Sequence, residues 1–399
     1  EASDELNHYP FVAYLAGGNG LPVQRPGGET LWGQEGSQPP LYYALAAALT
    51  SWIDVDDLTE LVILNPHAMR GVPLSPDNKN MVVHSSREAF PWRGSVLAVH
   101  LIRLLSLLLA SGTVLCTYLL ARALVPGQPA VALSAMAFNA FLPMFLFISA
   151  SVNNDTLVVL LSSIALVMMV RIVQRDASRG FMLALGVVVG LACLTKLGAL
   201  GLIPLAGLAL ALRFVSSQWP PALQLAGGPA GRLNGRVLSP GAMVRRWIVD
   251  FLFVLVPVIL VAGWWYWRNW QLYGDPTGLA MMLEIAGRRP AAPSLATLLG
   301  EFQGFRINFW GLFGAVNVLM RPTWIYTLLD LVTLAAVVGF VAWVWRTWRP
   351  QRYAQWPALM LAGAWIAIEF IALLRWTSVT LASQGRLIFP ALSSIALFF

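Results

Sequence analysis

The chain has 399 residues, of which 58% are hydrophobic and only 11% charged. Soluble domains carry roughly 25% charged residues, so the composition excludes an ordinary soluble protein. The net charge of +7 comes with no basic, aromatic-interleaved stripe, which excludes a nucleic-acid surface.

The apolar residues fall in long runs, which predicts an all-α, polytopic transmembrane helix bundle. Cys116 and Cys193 both lie inside such runs and read as small buried hydrophobes, with no disulfide framework and no cysteine metal site. Glu1 opens directly into polar sequence without a signal peptide, and the last apolar run is too short to span. The sequence therefore reads as part of a longer chain.

Residues 1–93 are predicted as a long outer-face loop with interfacial helices, and 94–399 as the bundle. The loop holds eleven of the 19 acids. Near its start, Asp4 and His8 are spaced to share a helix face, with Glu5 beside them. An acid beside an imidazole suits proton abstraction or metal binding. The same residues also suit a helix start, with Ser3 as cap and the acids on the dipole. The apolar patch Leu41–Ile53, introduced by Pro39-Pro40, is about 13 residues long, short of the ~20 that a span needs.

Spans are predicted at 96–124, 130–148, 156–173, 181–194, 197–212, 247–267, 324–345 and 357–374, with a truncated one at 387–399. Counting crossings puts Arg171, Arg175, Arg179, Arg213, Arg232, Arg236, Arg245, Arg246, Arg346, Arg349 and Arg352 on one side, with Asp176 the single acid in those loops. The positive-inside rule makes that side cytoplasmic. Residues 1–93, 149–155, 274–322 and 375–386 then face outside. Trp264, Trp265, Trp267, Trp270, Trp343, Trp345 and Trp348 cluster at span ends, as an aromatic belt does. Gln218–Gly241 reads as a flexible loop, and no internal repeat is found.

The unusual polar groups gather on the outer side. Ser151–Asp155 forms a turn in which Asn154 or Asp155 is expected to cap the next helix. Lys196 interrupts two apolar helices, a costly placement unless it is paired, wet or functional. Arg103 lies a turn or two into its helix and reads as snorkelling. Arg386 follows Gln384 and Gly385, and its structural alternative is pairing with Glu369. Arg268 follows Trp264–Trp267, and Phe309–Gly314 reads as a membrane-lying segment or a ligand wall. No P-loop or dinucleotide fingerprint occurs.

Several motifs stand in order: the Asp4-Glu5 pair, Pro-Pro-Leu-Tyr-Tyr at 39–43, Arg-Leu-Leu-Ser at 103–106 and Val-Asn-Asn-Asp at 152–155. Thr-Lys-Leu at 195–197, Trp-Tyr-Trp-Arg-Asn-Trp at 265–270 with Tyr-Gly-Asp-Pro at 273–276, and Gln-Gly-Arg-Leu-Ile-Phe-Pro at 384–390 follow. Together they resemble the GT-C superfamily of membrane glycosyltransferases, and within it DUF2142-type and dolichyl-phosphate-mannose/protein mannosyltransferase-like proteins of bacteria. The resemblance implies a polyprenyl-phosphate-linked sugar donor, a catalytic acid at Asp4 with Glu5 adjacent, and a second acidic position at Asp155. It implies donor-side roles for His8, Lys196, Arg268, Gln384 and Arg386. A divalent metal held by Asp4, Glu5, His8 and Asp155 is compatible with it. The family's helix before the acidic pair and its full C-terminal region are not in this sequence. The expected place is a bacterial plasma membrane, among membrane lipids and possible partner subunits, and the alternative is a non-catalytic GT-C-fold subunit of a larger complex. A transporter fits less well, because there is no repeat pair and the acids sit in a loop.

Overall fold

In the computed structural model the described residues are 2, 4–74, 78–175, 177–217, 232–233, 236–237, 239–347 and 355–399. Ser3, Asp77, Asp176, Trp348, Arg349, Arg352 and most of the 218–241 loop lie outside them.

Before the bundle come α1 (Glu5–Ala16), α2 (Leu41–Thr50) and the single turn α3 (Leu58–Leu61). The bundle contains α4 (Gly94–Leu124), α5 (Pro129–Phe141), α6 (Pro143–Ser149), α7 (Asp155–Gln174), α8 (Arg179–Cys193), α9 (Leu202–Ser217) and α10 (Pro240–Tyr273). It continues with α11 (Leu279–Ala286), α12 (Leu295–Gly311), α13 (Trp324–Thr347), α14 (Trp356–Val379) and α15 (Leu392–Ile395). Six helices are long and apolar enough to cross a membrane, or seven if the bent pair α5–α6 counts as one span.

That bend corrects the expected straight span at 130–148. The chain turns by 60° between α5 and α6. The residue before a proline is driven out of the α region, and Leu142, before Pro143, takes φ −65° and ψ 114°. The predicted span at 181–194 is α8, only 15 residues long. The truncated run at 387–399 is a short apolar helical stretch: a 3₁₀ turn (Gly385–Ala391) leads into α15 and a second 3₁₀ turn (Ala396–Phe398), packed within the bundle.

The segment is anchored there by hydroxyls. Ser393 Oγ lies 2.8 Å from both Thr117 Oγ1 on α4 and Ser163 Oγ on α7, and Asn139 Nδ2 donates to Thr117 Oγ1 at 2.7 Å. All four residues are buried. In an apolar surround an unmet polar group costs far more than a net hydrogen bond yields, so this node fixes one packing of the segment.

The centre of the bundle is α7, whose apolar stretch is the most enclosed of the candidate spans. The α4 and α7 helices run side by side in the same direction. Glu5 and Tyr42 join their N-terminal thirds, and Gln174 Nε2 donates to the Ala123 carbonyl at their C-termini. Small residues let α8 and α10 touch: Gly186 and Gly190, one turn apart, face Val254 and Val258 of α10. Among the tryptophans of the α10 belt, Trp264, Trp267 and Trp270 are exposed, while Trp265 is buried. The Phe309–Gly314 stretch, expected as a membrane-lying segment or a ligand wall, is mostly buried at Phe309–Leu312. It ends α12, where Phe309 and Trp310 pack edge-on against Phe389 and Phe138.

One consequence can be measured. A Cβ on Gly186 would sit 2.2 Å from the Val254 carbonyl oxygen. Gly186→Ala is expected to destabilise the bundle by about 1–3 kcal/mol through overpacking, lowering the melting temperature in detergent. Val187→Ala, on the exposed neighbouring position, should leave it near the parent value.

Candidate active site

The first helix brings its acids to the end of the bundle where α4 and α7 begin and α8 ends. Asp4 is the N-cap residue of α1, but its side chain makes no capping bond. Its carboxylate is instead turned to Arg386, with Oδ2 accepting from Nη2. Glu5, one residue on, points to another side of the helix. It takes Arg103 through two parallel bonds, Nε to Oε1 at 2.9 Å and Nη2 to Oε2 at 2.7 Å. Its Oε1 also accepts from the Val152 backbone N–H at 2.8 Å, tying α1 to the turn before α7.

Four charged groups then form a chain: Asp4, Arg386, Asp155 and Lys196. Arg386 Nη1 stands 3.6 Å from Asp155 Oδ2, and Asp155 Oδ1 accepts from Lys196 Nζ. Arg386 is almost fully buried, while the Asp4 side chain is 31% exposed. The chain of charges is thus buried at Arg386 and Asp155 and partly open at its two ends, Asp4 and Lys196. A guanidinium so deep requires partners, and it has carboxylates on two sides and Gln384 Oε1 on its Nε at 2.8 Å.

The backbone under Arg386 is held as firmly as its side chain. Its N–H donates to Asn308 Oδ1 at 3.0 Å. At Gly385 a Cβ would lie 2.3 Å from the Phe305 carbonyl oxygen, so only glycine lets the turn approach α12. Ser383 donates to Glu301, which Arg289 also grips, and Arg289 Nε donates to the Thr377 carbonyl at 2.6 Å. The loop before α12 and the end of α14 therefore clamp the turn that carries Arg386.

Tyrosines of α2 complete the wall. His8 Nδ1 shares a hydrogen bond with Tyr43 Oη at 2.7 Å and stands 3.6 Å from Glu35 Oε2. Tyr42 Oη lies 2.9 Å from Ser106 Oγ and accepts from the Asn153 backbone N–H at 3.2 Å. Burial pushes both phenols well above their ordinary pKa, so they stay neutral hydrogen-bonding posts.

The structure gathers Asp4, Asp155, Lys196, Gln384 and Arg386 into one cluster, with Glu5 and His8 on its flanks. Three sequence expectations are corrected. Arg103 does not snorkel outward but turns back to Glu5. Arg386 does not pair with Glu369, whose Oε1 is buried without a hydrogen-bond partner, but with Asp4 and Asp155. The cap of α7 is supplied by Asn153, whose Oδ1 accepts from the Asp155 and Thr156 N–H groups, and not by Asn154 or Asp155. Arg268 stands apart. It donates to the Leu21 and Pro22 carbonyls and lies over the Trp265 ring at 5.3 Å. Glu35 and Asn308 carry no sequence signal, because only tertiary contact makes them neighbours of His8 and Arg386.

A resident metal does not fit these side chains. Asp4, Glu5 and Asp155 are each already engaged by a cation, and His8 by Tyr43. Among the described residues no three His, Cys, Asp or Glu side chains come together as ligands.

Residues 98–225 match the family described as dolichyl-phosphate-mannose-protein mannosyltransferase. No curated protein shows significant sequence similarity to the chain. The fold is similar to that of ArnT from Cupriavidus metallidurans bound to undecaprenyl phosphate, with a TM-score of 0.52 at 15% identity, over 99% of this chain and 54% of that one. The Archaeoglobus fulgidus oligosaccharyltransferase complexed with Zn and sulfate aligns at a TM-score of 0.46 and 12% identity, over 100% of this chain and 44% of that one. The chain thus spans about half the length of these structures. It is an all-α membrane protein with the GT-C fold of membrane glycosyltransferases, as its motifs implied.

The Glu5–Arg103 pair yields a direct test. Glu5→Gln strands a guanidinium that is 28% exposed. Breaking one side of a buried pair costs about 3–5 kcal/mol, and the partial exposure puts this one near the lower figure. The double variant Glu5→Gln/Arg103→Met should recover part of that loss in a chemical-denaturation cycle.

Proposed function

We propose that the chain transfers a glycosyl group from a polyprenyl-phosphate-linked donor to an acceptor hydroxyl. The observation that carries this reading is the chain of charges itself. Two cations, Arg386 and Lys196, are held by two carboxylates at one end of a GT-C bundle; the ends of the chain, Asp4 and Lys196, are 31% and 22% exposed, while Arg386 and Asp155 between them are buried.

A phosphate is a better bidentate partner for a guanidinium than one edge of a carboxylate. A donor phosphate entering past Asp4 takes Arg386 and Lys196, which releases Asp4 from Arg386 next to the reacting carbon. Asp4 then accepts the proton of the acceptor hydroxyl. The acceptor oxygen forms its bond to the anomeric carbon as the bond from that carbon to the phosphate oxygen breaks. The electron pair stays on the phosphate, where Arg386 and Lys196 meet the added charge. Attack opposite the leaving group inverts the anomeric centre. Asp155 positions both cations. The name of ArnT's ligand, undecaprenyl phosphate, supports a lipid phosphate here.

The positive-inside rule supports placing this end of the bundle outside the membrane. Arg171, Arg179, Arg245, Arg246 and Arg346 all lie near the opposite ends of their helices. A bacterial plasma membrane fits that orientation.

Asp4→Asn is nearly isosteric and should keep the fold while turnover with a polyprenyl-phosphate sugar falls by ~10²–10⁴. Near-normal turnover would remove Asp4 as the base. Arg386→Lys keeps the charge but loses the fork, so donor affinity measured in nanodiscs should drop at least tenfold. Unchanged affinity would remove the phosphate role. A wild-type protein that binds no polyprenyl phosphate would instead leave the cluster as internal bracing, as in a non-catalytic subunit.

A further inference from the structure

On the other side of α1 from Arg386 lies a cleft of about 130 Å³, between α1, the α3 turn and the first turns of α4. Its polar side carries Glu5, Glu88, His100 and Arg103, and its other walls are mostly aliphatic, among them Leu61 and Val99. The cleft includes none of Asp4, Asp155, Lys196 or Arg386. At the start of α1 the adjacent residues Asp4 and Glu5 turn to different partners, Asp4 to Arg386 and Glu5 to Arg103.

Three features define an occupant. On α4 the lining residues Val96, Val99, His100 and Arg103 follow helical spacing, so they form one face. One turn further, that face reaches Leu107, which is 41% exposed, beside Leu104 and Leu108, at 54% and 73%. The cleft is therefore continuous with an exposed apolar surface on a helix that can cross a membrane. Next, its cation is already matched: Arg103 is committed to Glu5, with Glu88 also lining the cleft. Two carboxylates beside one guanidinium disfavour an anionic headgroup. Finally, Tyr9 and Ser95 bring hydroxyls to the same cleft, and burial raises the Tyr9 phenol to about 12, so it remains a neutral hydrogen-bonding group.

We infer that this cleft binds a neutral, hydroxyl-bearing amphiphile, with its headgroup against Glu5 and Arg103 and its aliphatic chain along the outer face of α4. Resting on the transferase reading, this amphiphile is the acceptor: it arrives laterally from the lipid on one side of α1, and the phosphate-linked donor occupies the other. For transfer the headgroup hydroxyl has to pass round the N-terminal end of α1 to the Asp4 carboxylate, which does not line the cleft.

The test uses the whole chain in phosphatidylcholine nanodiscs and two photoreactive probes with a diazirine in the acyl chain. One is a neutral monoacylglycerol and the other its anionic phosphate. Crosslinked peptides are mapped by mass spectrometry. The neutral probe is expected to label residues 58–62 and 96–107 at least tenfold more than the anionic one. Val99→Trp fills the cleft and should cut that labelling at least tenfold. Leu61→Trp, from the opposite wall, should do the same if the α4 variant fails to fold. Binding of undecaprenyl phosphate to either variant should stay within twofold of wild type, since Arg386 and Lys196 are untouched. Equal labelling by both probes, labelling confined to Leu104 and Leu108, or labelling unchanged in both tryptophan variants overturns the inference. Failure of wild type to bind undecaprenyl phosphate while the cleft still labels selectively overturns the transferase reading and with it the acceptor role, leaving an amphiphile site.

Discussion

A charge cannot stay in an apolar bundle alone, and the arrangement around Arg386 follows from that. The guanidinium is almost fully buried and faces carboxylates from α1 and α7. Desolvating an ion costs several kcal/mol, and only close, well-oriented partners offset it. So α1 must dock where it does, the first turn of α7 must present Asp155, and Lys196 must sit at the break after α8. Helix α12 is drawn in too, because the backbone of Arg386 needs Asn308. Polar contacts between distant parts of the chain thus arrange helices whose apolar faces would pack in several ways.

The second constraint is separation. Adjacent acids on one short helix serve different cations: Asp4 goes to Arg386 and Glu5 to Arg103. A helix turns by 100° per residue, so neighbours in sequence cannot share a partner. This elementary geometry divides the acidic end of the molecule in two. One half holds the partly exposed Asp4 carboxylate against the buried Arg386, with Lys196 partly exposed at the far end of the chain of charges. The other half is a mainly aliphatic cleft whose cation is already neutralised. The same pair of residues supplies chemistry to one side and a boundary to the other.

Much of this was legible in the sequence, for physical reasons that can be named. Long apolar runs are forced on any helix that meets lipid, so α4, α7, α10, α13 and α14 stood out. Ionisable groups among such runs are costly, which drew attention to Lys196 and Arg386 before any contact was known. What stayed hidden depended on direction and partner. Hydropathy sees length and not bending, so the break at Pro143 was read as a straight crossing. The 387–399 run reads only as a truncated apolar stretch, and nothing local reveals that Ser393 belongs to a buried hydroxyl node. Arg103 and Glu369 show the limit for charges: each could have snorkelled or paired nearby, and only the fold decides that Arg103 meets an acid 98 positions away. Arg268 shows the reverse case, an arginine beside an aromatic motif that serves to pin the chain after α1.

The hydroxyl node gives the cluster a depth gauge. Ser393 lies seven residues beyond Arg386 on the same inward-dipping segment, locked to α4 and α7 well below the site. The height of the guanidinium is therefore set from underneath as well as from the loops above. A change of one methyl group at Thr117 or Ser163, in the apolar interior and touching no charged group, would raise or lower the cation relative to its carboxylates. The electrostatics of the surface are in this sense tuned from the middle of the membrane.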